Sequence, residues 1–149
     1  MAWGLVLGTF ASGLLDLLRL DPWGAMLSSL TLSGTPHIRN VEQAAKRLIS
    51  VGAEISAEEL HSKLDPASQI VLNQHNSPLW FPAKDIETPM FWIAGDADLA
   101  VNEPCQRKSA LHYKADYAMV PGAAHNLMME KSQRQSVRTI HEWLEKTVD

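Results

Sequence analysis

"TPMFWIAGDAD", Thr88 to Asp98, is the stretch on which the fold turns. Pro89 is followed by a continuous apolar run from Met90 to Ala94, ended by Gly95; its length and flanks predict a buried strand. Asn102-Glu103-Pro104 then supplies a helix start, with the helix expected through about His112. "YAMV", Tyr117 to Val120, is a second short apolar run ended by Pro121-Gly122. A last helix places Val137, Ile140, Trp143, Leu144 and Val148 on its apolar side. Strand, helix, strand, helix with short connections predicts an α/β arrangement of parallel strands joined by right-handed crossovers.

Working back toward the N-terminus, the pattern is helical. Thr35-Pro36 opens a segment whose Ile38, Val41, Ala45, Leu48 and Ile49 recur at helical spacing until Gly52 stops it. Ser56 with Glu59 forms a capping box before Leu60 and Leu64, and Asp65-Pro66 restarts a helix through Ile70 and Val71. Asp21-Pro22 fits an N-cap and first helical position, with Trp23, Met26, Leu27 and Leu30 following at helical spacing. Ahead of it, Ser12 caps a leucine-rich helix containing Leu14, Leu15, Leu17 and Leu18. "GLVLGTF", Gly4 to Phe10, reads as another buried strand. The expected organisation is a core strand at 1–11, helices and a proline-punctuated connection at 12–86, and the strand-helix-strand-helix unit at 87–149.

Composition narrows the function classes. Of the 149 residues 46% are hydrophobic and 20% charged, a globular balance, and the formal charge of −4 argues against a nucleic-acid binder. The apolar N-terminus invites a signal-peptide reading. However, no Lys or Arg precedes it, Asp16 and Arg19 follow closely, and it is shorter than the roughly 20 residues a spanning helix needs, so no stable membrane anchor is expected. A single cysteine, Cys105, excludes an internal disulfide framework and suits a reducing, cytoplasmic compartment. His37, His61, His75, His112 and His141 have no metal-ligand spacing, and there is no P-loop or G-x-G-x-x-G, so no metal or other cofactor is expected.

In open parallel sheets, ligands sit beyond the carboxyl ends of the strands. Two loops should open on that edge: "GDAD", presenting Asp96 and Asp98, and "PGAAH", presenting His125. A carboxylate and an imidazole meeting there form an acid–base pair, the carboxylate holding the ring tautomer and stabilising the imidazolium. The plainer alternative is that Asp98 only shapes its loop through an Asx-type turn.

"TPMFWIAGDAD", "ADYAMVPGAAHNLMME" and "IHEWLEK" resemble, in order and spacing, the C-terminal portion of the α/β-hydrolase family. The resemblance is specific over Glu87 to Asp149 and weaker upstream, where "WGLVLGTFASGLL" looks like the family's strand entering a helical lid. It implies a partial α/β-hydrolase fold: about three parallel strands, flanking helices and an inserted lid. It implies Asp98, the last residue of G-x-x-D, as the acid, Asp96 as its substitute, and His125 as the base. Trp23, Met26, Trp80 and Phe81 would either line a pocket for an apolar acyl or alcohol group or pack the lid on the core.

Such an enzyme also needs a nucleophile, usually the serine of G-x-S-x-G before the acid and base in chain order. Ser12 in "FASGL", Ser33 in "TLSGT" and Ser77 in "HNSPL" do not fit that motif, and Cys105 lies in a helix after the acid. The expectation is the C-terminal segment of an esterase- or lipase-like hydrolase, inactive alone, whose Asp98 and His125 would serve an upstream nucleophile attacking a small apolar ester. A truncated or degenerate hydrolase acting as an interaction module is one alternative. An upstream aspartate nucleophile, giving dehalogenase or epoxide-hydrolase chemistry, is the other. A bare outer edge on the Gly4–Phe10 strand would further predict self-association.

Overall fold

The computed structural model describes residues 15–66, 68, 83 and 86–147. The expected strand at Gly4–Phe10, the cap at Ser12, the helix through Ile70 and Val71, and Trp80 and Phe81 lie outside them.

Two strands pair in parallel, β1 (Phe91–Gly95) and β2 (Asp116–Val120), with Phe91 opposite Asp116 and Gly95 opposite Val120. Helix α4 (Glu103–His112) connects them. Asn102 caps it by accepting a hydrogen bond from the Cys105 amide at 3.0 Å, and Pro104 occupies its first turn, where the amide it lacks would have no helical partner. Helix α5 (Gln133–Thr147) follows β2. Successive strand residues point to opposite faces, and β1 uses this to hold both helices. Phe91 stacks on Trp143 of α5 with ring centroids 5.2 Å apart, whereas the Trp92 indole donates to Gln106 of α4 at 3.3 Å.

The upstream residues are helical with short breaks. Residues 15–20 are helical and lead directly to Asp21, which caps α1 (Pro22–Thr31) by accepting from the Gly24 amide at 2.9 Å. A 3₁₀ turn at Thr35–Ile38, α2 (Val41–Leu48) and α3 (Ala57–Ser62) complete this part. Ser56 caps α3 through the Glu59 amide at 3.0 Å.

Two expectations need correction, and a third falls partly outside the described residues. The segment from Thr35 to Ile49 is not one helix. Its first turn is 3₁₀, Asn40 starts a new helix by accepting from the Gln43 amide at 2.9 Å, and Ile49 is already extended. The break is at Asn40, whose backbone is extended (φ −147°); Arg39 before it is still helical and sends its guanidinium to Asp21. Residues 64–66 are not helical and Ser68 forms an antiparallel bridge with Ser33, while the rest of the helix expected after Asp65-Pro66 lies outside the described residues. Finally, α5 does not bury its apolar stripe: Val137 (66% exposed), Ile140 and Leu144 face outward, while Trp143 meets the sheet and Ser136 is buried. At 3.6 residues per turn, Val137 lies about 100° around the helix from Ser136, enough to carry the stripe off the sheet.

Buried apolar positions are mostly small: Ala94, Ala110, Val120, Ala123 and Ala124 around the sheet, and Ala25, Ala44 and Leu60 among the upstream helices. Among the described residues no helix is long and apolar enough to cross a membrane.

Candidate active site

The parallel register brings the carboxyl ends of β1 and β2 side by side, and the loops leaving them are joined by hydrogen bonds. The Asp96 amide donates to the Val120 carbonyl (3.3 Å), the Ala97 amide to the Ala123 carbonyl (2.9 Å), and the Gly122 amide to Asp96 Oδ1 (2.6 Å). Gly95 permits this approach. A Cβ there would lie 2.1 Å from the Ala123 carbonyl oxygen and 2.6 Å from that of Ala124. Gly122 meets a different requirement, a φ of +70° that side-chain-bearing residues rarely adopt.

These joined loops place Asp98 Oδ2 2.9 Å from His125 Nδ1. The Asp98 side chain is 5% exposed and that of His125 24%. Asp98 Oδ1 accepts from the amides of Ala100 (2.8 Å) and Val101 (2.9 Å), and Oδ2 also accepts from Gln106 Nε2 at 3.1 Å. The turn-forming and imidazole-orienting readings of Asp98 are thus compatible, because one oxygen serves each. With Asp98 accepting a hydrogen bond from Nδ1–H, Nε2 is left as the basic nitrogen of the neutral ring. Nε2 has no hydrogen-bond partner among the described residues. Asp96 faces the other way, onto the Gly122 turn, and does not contact His125.

Gln106 carries more than its position in α4 suggested. Its amide nitrogen bridges Asp98 Oδ2 and the Val101 carbonyl (2.9 Å), and its oxygen accepts from Trp92. The carboxylate is therefore fixed by its own loop and by Gln106 of α4, which Trp92 of β1 holds in turn. Nothing in the local sequence marks Gln106, since its role depends on a strand and a loop that meet it only in the folded chain.

A cavity of about 170 Å³ adjoins the pair. It touches four consecutive β1 residues, Trp92 to Gly95. Neighbours on a strand point to opposite faces, so a cavity reaching all four runs along the strand's edge, the one with no paired strand among the described residues. A second cavity of about 300 Å³ lies between residues 16–20 and the 98–102 loop, and Asp98 lines both.

Of the other expected site residues, Trp23 and Met26 are exposed on α1 and line neither cavity. Met128, in the 3₁₀ turn at Leu127–Met129, is exposed. No group of His, Cys, Asp and Glu among the described residues could hold a metal ion. Compared with known proteins, the chain matches no family model, no curated protein and no solved structure.

Proposed function

We propose that Asp98 and His125 are the acid and base of a hydrolytic triad of the α/β-hydrolase type, and that the nucleophile reaches His125 from a polypeptide segment not contained in this chain. The observation that carries the reading is the 2.9 Å bond between a nearly buried carboxylate and the Nδ1 of a partly exposed histidine, at the carboxyl end of a parallel sheet. In this reading Nε2 takes the proton of the attacking hydroxyl and returns it to the leaving group, while Asp98 stabilises the imidazolium between the two transfers. The acyl-enzyme forms on the nucleophile and is cleaved by water that the same Nε2 activates. The apolar lining offered by Trp92, Ile93 and Leu127 favours a small apolar ester. The helices upstream of β1 take the place of the lid.

A fluorophosphonate, which phosphonylates activated serines, tests this. The chain alone remains unlabelled. Translated together with the coding sequence upstream of Met1 it becomes labelled at a serine, and His125→Ala slows labelling on the order of 10³-fold or more. Serine labelling of the chain alone, or labelling indifferent to His125→Ala, contradicts the proposal.

One observation favours the second reading, a non-catalytic interaction module. The outward stripe of Val137, Ile140 and Leu144 on α5 is the kind of surface that binds a protein partner. That reading leaves Asp98 and His125 without a chemical role, and an extended chain that takes no label would favour it.

A further inference from the structure

Glu130 is the least exposed acidic residue among those described, at 1%, and the triad proposed above gives it no task. Its Oε1 accepts from two backbone amides, Ser50 at 2.8 Å and Ala124 at 3.2 Å. Its Oε2 accepts from the Ser50 hydroxyl. Ser50 follows α2, and Ala124 immediately precedes His125. The two segments are bonded on either side of this carboxylate as well: the Asn126 amide donates to the Leu48 carbonyl at 2.9 Å, and the Glu54 amide to the Met129 carbonyl at 2.8 Å. Residues 48–54 thus run along residues 124–130, with Glu130 at the centre of the seam.

His125 is therefore held from two directions. Its ring is fixed by Asp98 from the sheet, and both of its chain neighbours are fixed by the helical part, Ala124 through Glu130 and Asn126 through Leu48. Burying a carboxylate is costly unless donors surround it, and here three converge on its two oxygens. An apolar side chain of similar size would fill the space but leave the buried Ala124 amide and the partly buried Ser50 amide without acceptors.

We infer that Glu130 is a positioning residue, a latch that ties the segment after α2 to the histidine loop and so holds His125 where Asp98 can orient its ring. The inference rests on the reading of His125 as the base. It adds that the helical part and the base act as one unit, so that displacing residues 48–54 withdraws the base.

The test is the His125 Nδ1 proton, observed by NMR in the full chain, with circular dichroism as a check on folding. In the wild-type chain this proton is shielded by its bond to Asp98 and exchanges slowly with water. In Glu130→Ala its exchange accelerates roughly tenfold or more, since a hydrogen-bonded charged group has been removed from the loop's anchor. Glu130→Gln restores slow exchange, because its oxygen still accepts from both amides and its NH₂ donates to the Ser50 hydroxyl. Ser50→Ala, which loses one of the three bonds, gives an intermediate rate and serves if Glu130→Ala does not fold. Wild-type exchange in folded Glu130→Ala or Ser50→Ala, or a Gln variant as fast as the Ala variant, overturns the latch alone. Absence of the protected proton in the wild-type chain overturns the base reading, and the latch with it.

Discussion

A methyl group on Gly95 would lie 2.1 Å from the Ala123 carbonyl oxygen, on backbone that is itself bonded to Ala97. The Asp98–His125 pair depends on that close approach, because both loops leave the sheet there. Gly95→Ala should separate the loops and cost about 1–3 kcal/mol, as overpacking of well-packed sites does, lowering the urea midpoint and exposing His125 to faster modification by diethyl pyrocarbonate. Gly122→Ala meets open space and costs only the strain of φ +70°, about 1–2 kcal/mol. Equal urea midpoints for Gly95→Ala and wild type would show that the loops do not meet as described. Asp98 and His125 could be identified from sequence because G-x-x-D and the histidine loop each follow a recognisable strand. Gln106 and Glu130 could not, because each acquires its role from residues that reach it only through the fold, Glu130 and Ser50 being 80 positions apart.

Among the elements, α1 and α2 are held by a polar cluster rather than by a large apolar core. Asp21 receives Arg39 on both oxygens (2.5 and 3.2 Å) and Arg47 at 3.5 Å, while still capping α1. The hydrogen bond from Arg39 is the main cause of an Asp21 pKa lowered to about 2; burial opposes the shift, and the Gly24 amide and the charges of both arginines reinforce it. A carboxyl whose folded pKa lies below its unfolded value of roughly 3.9 contributes stability that is complete above about pH 4 and is lost as the pH falls toward 2. With Arg39 partly open to solvent, that contribution is about 1–2 kcal/mol. His37 acts in the same direction at higher pH. Burial, then the charge of Arg47, lowers its pKa, so folding favours the neutral ring and loses that advantage as the pH drops below the ordinary histidine value. Circular dichroism from pH 7 to 2 should show helix loss in acid, with Asp21→Asn less stable at pH 7 and lacking the step between pH 4 and 2. A pH profile unchanged by Asp21→Asn would remove the cluster from the explanation. The caps at Asp21, Ser56 and Asn102 were readable because capping is local. The break at Asn40 is a local cap as well, but the helical spacing from Ile38 to Ile49 runs through it and hides it.

Among the described residues the buried apolar positions are mostly alanines, and larger apolar side chains lie outside: Trp23, Met26 and Leu30 along α1, Val137, Ile140 and Leu144 along α5. Two parallel strands cannot alone provide the two covered faces on which such sheets depend, and β1 has an open edge among the described residues. The sequence supplied the stripe on α5 but not its partner, since periodicity identifies an apolar face without saying what covers it. We predict concentration-dependent association, detected by sedimentation velocity and reduced by Ile140→Glu with Leu144→Glu. A monodisperse wild-type monomer at high concentration would count against it. The acid–base pair is tested most directly by ¹⁵N NMR of the neutral His125 ring. The expected result is a proton on Nδ1 and a bare Nε2, with Asp98→Asn shifting the population toward the Nε2-protonated tautomer. A wild-type ring protonated on Nε2, or a tautomer indifferent to Asp98→Asn, would contradict the assignment of His125 as the base.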